Sequence, residues 1–532
     1  MWTRWTVSTM WHDFWQKIKG VMARMGWIQD VAQATSNIIV DQESYDRVAE
    51  WDAVYQGEAP WSRIHWQDIA GVQHNRRLMS LNMGQMAAKK MASLAFNQKA
   101  QVLATPTGYE PADGKTSPKD YDNDANKFIH QVLQDNHFYD NFERYLEYMF
   151  AAGGLVIRTY VYNGRVKIRF ATADSFYPLS QDANGVTECV IASRFVKDQR
   201  TYTLLEKHTE DDQGYNITNT LYESPTGSGD AGLGTKVPLA TLYPDLKDQV
   251  TYPKDSYSQP TFIYLKPNLA NNFDSTSPLG ISIYANAMDT LHQLDQYYDM
   301  LMQEGVMGRR RIIAPDSMLK RKRDARTNTV SWHVDFNDAV YQSFTDNPER
   351  NGGGLDGPKD ITLPLRSGDI IATINNLLRL YATQTGFSSG TFSYDGESGV
   401  RTATEVISAN SDTYQTKNSH ETIIEQALIQ LCQNIVELGS NSAAGYTGPT
   451  DIDVTVNFDD SIAKDRNENE TFYLTATGNK PLMPQREAIK RFNNLTDVEA
   501  DQWLAQIKAD EPPVDDIEDL TNQGTEDEGN GS

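Results

Sequence analysis

Residues 369–405 read DIIATINNLLRLYATQTGFSSGTFSYDGESGVRTATE, and this stretch decides the fold. Ile370, Ile371, Ile374, Leu377, Leu378 and Tyr381 recur at three- and four-residue steps, which predicts an amphipathic helix over about 369–384. Glycine and serine then make 386–401 a loop. Thr402 to Glu405 has the form of a capping box, so a new helix is expected to begin there, with Gly439 as its stop. At 1.5 Å per residue it would be roughly 55 Å long. Upstream, Tyr284, Met288, Leu291, Leu294, Tyr298 and Leu301 form a matching stripe and predict a helix over 278–307. The series is helix, insertion, helix, loop, long helix. Such a series is mechanical, and it outlines no catalytic pocket.

The insertion is strongly basic. Arg309, Arg310, Arg311, Lys320, Arg321, Lys322, Arg323 and Arg326 crowd into it, although the chain as a whole carries a net charge of −24. Arginine suits phosphate and carboxylate alike, so these residues alone leave the partner open, and a solvated face paired with nearby carboxylates is the plain alternative. Within the long helix, Ile424, Leu428, Leu431, Ile435 and Leu438 repeat at heptad-like spacing, whereas 408–420 is almost wholly polar. That polar half points to a neighbouring subunit or a wet channel. Ahead of the series, Val156–Tyr162, Asn163-Gly164 and 165–170 predict a hairpin, because Asn-Gly suits a type I′ turn. Residues 126–151 read as helix, and further strands are expected to about Tyr222. After Gly439 a strand over 451–458 and two helices ending near Lys508 are expected. The tail from Asp510 is acidic and poor in aromatics, which favours disorder.

A chain of 532 residues exceeds the size of one hydrophobic core, so several domains are expected. A hydrophobic share of 39%, a mean hydropathy of −0.57 and 26 tyrosines suit an elongated, partly solvated subunit of an assembly. The strong negative charge excludes a tight, sequence-independent DNA binder, which neutralises phosphates with Lys and Arg. It is compatible with a conduit whose carboxylates limit sticking. Cys189 and Cys432 are far apart in sequence and suggest neither a disulfide framework nor a zinc site; Cys432 falls on the apolar face of the long helix as a small core residue. No apolar run is long enough to span a bilayer. Trp2, Trp5, Trp11, Trp15 and Trp27 crowd the N-terminus, with Trp11, Phe14, Trp15, Ile18, Val21, Met22 and Met25 on one helical face. That pattern fits an interfacial membrane helix or, more plainly, a helix docked on protein.

Three stretches imitate known sites. Gly227 to Gly232 satisfies G-x-G-x-x-G but lies in a Pro/Ser/Gly loop, carries Asp230 where a pyrophosphate would approach, and opens no helix. Gly108 to Thr116 has one residue too many for a P-loop, and Glu110 and Asp113 would repel phosphate. The nine histidines show no paired metal spacing; His208 and His333 read as structural. No cofactor, metal or catalytic residue is expected, and the chain is not read as an enzyme.

Residues 277–289 (SPLGISIYANAMD), the Gly308-Arg-Arg-Arg-Ile312 that follows and the helix–loop–helix ending at Leu438 resemble portal proteins of tailed bacteriophages. Arg77–Met83 with Ala92–Asn97, Leu205–His208 with Ile217–Tyr222, Val454–Ser461 and Arg486–Lys490 resemble further parts of that family in the right order, so the likeness runs from about Arg77 to about Ile507. The resemblance implies an α+β, multidomain, elongated ring subunit. Its parts would be an N-terminal arm (1–45), a wing (46–275), a stem helix (276–308), a clip (309–365), a second stem helix (366–386), a tunnel loop (387–401), a long wing helix (402–439), a mainly helical crown (450–510) and a disordered acidic tail (511–532). It implies a ring of about twelve copies at one capsid vertex of the virion, closed by heterologous contacts and assembled in the host cytoplasm. Double-stranded DNA would pass through the ring without sequence specificity. Terminase large subunit, head-completion or adaptor proteins, and major capsid and scaffolding proteins would be its partners. Ser388, Ser389, Thr391, Tyr394 and Arg401 would meet DNA from the tunnel loop, and Arg309–Arg311 with Lys320–Arg323 would meet DNA or a partner from the clip. A membrane-peripheral scaffold anchored by the Trp-rich N-terminus is the rival reading; it leaves the helix series unexplained.

Overall fold

The computed structural model describes residues 30–31, 34, 38–68, 71–96, 100–108, 123–225, 232–254, 256–308, 311–315, 321–323, 330–332, 340–344, 359–360, 364–394, 410–441, 444–458, 483–493 and 503–507. Helix α1 (Gln42–Tyr55) starts where the Asp41 carboxylate accepts from the Ser44 N–H at 2.9 Å. A hairpin, β1 (Arg63–Gln67) and β2 (Gln73–Arg77), leads to α2 (Met83–Ala95) and β3 (Gln101–Pro106). Two helices follow, α3 (Asp124–Asp135) and α4 (Phe138–Ala152), where one was expected. The break lies at Asn136 and His137. Asn136 Nδ2 donates to the Val132 carbonyl at 2.7 Å and to the Val166 carbonyl at 3.1 Å, and His137 takes a left-handed φ of 48°. A local side-chain bond thus outcompetes helix continuation.

The expected hairpin is present as β4 (Leu155–Tyr162) and β5 (Arg165–Thr172). Asn163 (φ 50°) and Gly164 (φ 67°) supply the two positive angles of a type I′ turn. Then come β6 (Phe176–Asp182), β7 (Gly185–Lys197), β8 (Arg200–Asp211), β9 (Gly214–Pro225), β10 (Thr235–Val237), β11 (Gln249–Pro253) and β12 (Phe262–Leu265). Strands β10-β9-β8-β7-β6 form an antiparallel sheet to which β11 adds on β9, and β12-β4-β5 form a second one. The Leu205 and Ile217 segments meet as expected, with His208 opposite Ile217. Strand β4 is buried on both faces: Leu155 and Ile157 face the large helical core, and Val156 faces the core of the other sheet with Phe176 and Cys189.

The next helix is shorter than its sequence pattern. Residues 278–284 are not helical; a 3₁₀ turn (Ala285–Ala287) leads into α5 (Met288–Met307). The preceding segment spends its polar groups on the end of α4. The Ile283 N–H and Ser282 Oγ donate to the Phe150 carbonyl at 3.0 and 3.2 Å, and Tyr284 Oη donates to the Trp51 carbonyl at 2.9 Å. Gly280 sits so near Gly153 that a Cβ on it would come 2.3 Å from the Gly153 carbonyl oxygen. Tertiary docking overrides the apolar periodicity there.

Beyond α5 lie short strands β13 (Arg311–Pro315), β14 (Arg321–Arg323), β15 (Val330–Trp332), β16 (Val340–Phe344) and β17 (Lys359–Asp360). β13 pairs in parallel with β16 and antiparallel with β17, and β14 pairs antiparallel with β15. Helices α6 (Ser367–Gln384) and α7 (Ser411–Asn441), strand β18 (Ile452–Asn457) and α8 (Gln485–Asn493) follow, and residues 503–507 are helical. The Thr402–Glu405 capping box, the Trp-rich N-terminus, the acidic tail, His333, Asp230, Glu110 and Asp113 lie outside the described residues. Gly439 does not stop α7. It lies inside the helix because the Phe128 ring packs on it, and a Cβ would meet that ring at 2.5 Å. Strand β18 pairs with β3 in full register, Ile452 to Pro106 and Asn457 to Gln101, so the segment expected in a C-terminal crown closes a sheet with residues 101–106.

Candidate functional site

The helix pair α5–α6 is the element that the sequence singled out. Leu291 and Leu294 on α5 and Ile370, Ile374, Leu378 and Tyr381 on α6 are buried in one core. The pair is antiparallel and fastened at both ends. Thr290 Oγ1 donates to Gln384 Oε1 at 2.8 Å, and Arg366 Nη2 donates to Glu304 Oε2 at 3.1 Å. Hydrogen bonds from Arg366 hold the Glu304 carboxyl below its ordinary range. The strands β13–β17 emerge from this end of the pair.

Two carboxylates one turn apart on α5 join the pair to the body. Asp295 accepts from Trp61 Nε1 (2.9 Å), Ser80 Oγ (2.7 Å) and the Leu81 N–H (3.1 Å). Asp299 accepts from both terminal nitrogens of Arg76 at 2.5 Å and from the Met79 N–H at 3.2 Å. Burial pushes the Asp295 carboxyl up, while the Arg76 hydrogen bonds pull Asp299 down. Every acceptor is used on the chain itself, so this is a joint, not a binding site for a cation.

The loop after α6 is anchored as well. Ser388 is buried; its N–H donates to Thr413 Oγ1 at 2.8 Å, and its Oγ accepts from the Thr413 N–H at 3.2 Å. Phe387 and Phe392 are buried and meet edge to face. Ser389 and Tyr394 are exposed, and the Tyr394 N–H donates to Asn375 Oδ1 at 2.9 Å.

A second buried polar cluster joins the two sheets. Arg158 on β4 pairs with Glu206 on β8, and His208 uses Nε2 on Glu206 (2.9 Å) and Nδ1 on Tyr215 Oη (2.5 Å). Burial raises the Glu206 carboxyl, but Arg158 and His208 outweigh it and hold it well below the ordinary range. Both ring nitrogens are occupied, which makes His208 the structural histidine that was expected. Among the described residues no group of His, Cys, Asp and Glu is placed to hold a metal, and no helix is long and apolar enough to cross a membrane.

The phage portal protein family, SPP1 Gp6-like, matches residues 38–513. The chain belongs to that family. Its mixed helices and sheets agree with the α+β class. No curated protein matches it. Among solved structures, a chain in the virion of a native gene transfer agent (GTA) particle is similar at 10% identity, covering 89% of this chain and 99% of its own, with a TM-score of 0.41.

The residues singled out from sequence fall into different situations in this portal-family chain. Ser388, expected to face DNA, is turned inward and bonded to α7 because its hydroxyl and N–H complete the start of that helix. Thr391 is half-buried, and its hydroxyl lies 3.5 Å from that of Thr413. Ser389 and Tyr394 remain at the surface. Arg401 lies outside the described residues, as do Arg309, Arg310, Lys320 and Arg326. Arg311 is the first residue of β13, whereas Arg321, Lys322 and Arg323 make up β14, so the backbone distributes the basic cluster over two small sheets. Sequence reading missed the Asp295–Asp299 joint. Its signal was present: two carboxylates at i and i+4 within the stripe of Leu291, Leu294 and Tyr298, where charge is expected only with partners.

Proposed function

We propose that the chain is the subunit of a ring of about twelve copies at one capsid vertex, the channel for double-stranded DNA in packaging and ejection. In this reading α5 and α6 are the stem helices that wall the channel, 309–365 is the clip, and 387–401 is the tunnel loop. Membership of the portal family over 38–513 carries it. The antiparallel α5–α6 pair, fastened at both ends and jointed to the body through Asp295 and Asp299, supports it as a stiff wall.

The mechanism is geometric. A net charge of −24 keeps a sliding duplex from sticking, since counterion release on binding needs clustered cations. Ser389, Tyr394 and Arg401 are the tunnel-loop groups offered to passing phosphates, with Ser388 and Thr413 as the hinge pin behind them. The basic residues of β13 and β14, with Arg309, Arg310 and Lys320, offer a clip surface to terminase large subunit, to head-completion or adaptor proteins, or to DNA. Major capsid and scaffolding proteins would surround the ring in the virion. No catalytic residue, metal or cofactor has a part in it.

The deciding experiment is the solution mass of the purified full chain by native mass spectrometry, followed by negative-stain imaging. A closed ring near 0.7 MDa, about twelve copies of the 59.9 kDa chain, is expected. A compact monomer that floats with liposomes overturns the reading in favour of the membrane-peripheral one.

A further inference from the structure

The hairpin of β1 and β2 forms a sheet of its own. Among the described residues its strands pair with each other, and eight of their ten residues are exposed. A two-stranded ribbon in water is marginal by itself. This one is bolted firmly at its root, where Arg76 grips Asp299, the Leu78 N–H donates to the Ser62 carbonyl at 2.7 Å, and Arg77 donates to the Gly57 carbonyl at 2.7 Å. The far end carries Trp66 stacked on His74 at 5.3 Å, with Trp66 43% exposed. Beside the root lies a groove of about 400 Å³ between the end of α1 and α5, lined among others by Arg77, Met79, Asn82 and Tyr298. Met79 is half exposed there.

An exposed tryptophan, an exposed methionine and arginines are the residue types enriched at the energetic centres of protein interfaces. Of the three arginines in 63–77, Arg76 is taken by Asp299 and Arg77 lies 3.5 Å from Glu58, so exposed Arg63 is the cation left to face a neighbour, while the whole chain is at −24. The surface that complements it in sign is therefore the bulk surface of this same protein. Half-exposed Met79, which offers nothing to a phosphate, favours a protein side chain as the occupant of the groove.

We propose that the 63–77 hairpin and the groove at its root are the arm by which one copy of this chain holds the next. The proposal rests on the ring-forming reading and adds the contact that closes the ring. The rigid root sets the angle at which the neighbour is held, which is what a closed ring requires of a heterologous contact.

The test uses the full chain and two separate variants, Arg63→Glu with Trp66→Ala on the ribbon and Met79→Glu in the groove. Both leave the Arg76–Asp299 bolt in place. Each variant is followed by native mass spectrometry over a concentration series, with thermal melting to confirm that it is folded. Both are expected to melt like the parent chain yet need about tenfold more protein to assemble, or to stay monomeric. Trp66→Phe should assemble like the parent chain. Amides of 63–77 should exchange more slowly in the assembled parent than in monomeric Met79→Glu, whose hairpin sequence is unchanged. Folded variants that assemble at the parent concentration overturn the proposal. So do variants that assemble normally but lose salt-sensitive association with duplex DNA, which would assign the ribbon to nucleic acid. A parent chain that never assembles brings down the ring reading itself, a result distinct from rings indifferent to the hairpin.

Discussion

Along α7 the inward-facing residues form one continuous stripe: Thr413, Lys417, His420, Ile424, Leu428, Leu431, Ile435 and Leu438, all buried. From Ile424 onward the stripe is aliphatic and joins the large helical core with Cys432. Before Ile424 the same geometric positions hold a hydroxyl, an ammonium and an imidazole. Each has at least one partner within the chain. Thr413 exchanges hydrogen bonds with Ser388, Lys417 pairs with Glu421 at 2.9 Å, and His420 Nδ1 accepts from the Asn268 N–H at 3.1 Å. The two halves are buried alike but are held by different physics. Area removed from water stabilises the second half, roughly in proportion to apolar surface. The first half gains little net energy from its pairs, and it loses heavily if one partner is removed.

That contrast can be broken at several points. The largest effect is expected from Leu431→Ala, a cavity in the aliphatic half that should cost about 4 kcal/mol in urea unfolding. A cost under about 1 kcal/mol would mean the second half is not a packed core. Next, Glu421→Gln should cost about 3 kcal/mol by taking away the carboxylate that faces the buried Lys417 ammonium, and adding Lys417→Met should recover most of it. An innocuous Glu421→Gln would show the first half to be wet. The contrast is sharpened by pH. Burial depresses the His420 pKa from the ordinary 6.5 to about 4, and its Nε2 has no hydrogen-bond partner among the described residues. The unfolded chain therefore takes up the proton first, and stability falls as pH drops through that window. The loss from this residue should be about 2 kcal/mol between about pH 7 and about pH 5. Comparing melts of the parent and His420→Gln isolates that share, and equal pH profiles would exclude it. The smallest effect belongs to Ser388→Ala, about 1 kcal/mol for the lost bond to the Thr413 N–H, measured as a shift in urea midpoint.

Apolar spacing found the aliphatic half of α7 and helix α6, and an Asn-Gly turn found the β4–β5 hairpin, because these signals act locally; the β8–β9 pair came from the family resemblance. It assigned the polar half of α7 to a neighbour or a wet channel; the structure finds partners for the three buried residues of that half in the same chain, at Ser388, Asn268 and Glu421. A hydrophobicity pattern is blind to burial achieved with hydrogen bonds. The early start given to α5 failed for a related reason, since Ile283 and Tyr284 have helical spacing but spend their polar groups on Phe150 and Trp51. Gly439 misled because glycine also serves close packing, here against Phe128. The basic residues of 309–326 were legible as a cluster, yet which small sheet carries each one depends on strand pairing that spacing does not encode. Asp295 and Asp299 were visible as an anomaly, but their partners lie far upstream, at Trp61, Arg76 and Ser80.

Strand β18 closes against β3, although one lies near the end of the described chain and the other near its beginning. A ribosome delivers β3 early and β18 late, so β3 waits with an open edge until almost the whole polypeptide has emerged. Long-range pairing of this kind is slow, and unpaired edges invite the wrong neighbour. The order of synthesis therefore acts as a timer. The body is complete only once β18 has been made; hydrogen-exchange labelling of stalled nascent chains would reveal β3 unprotected up to that moment.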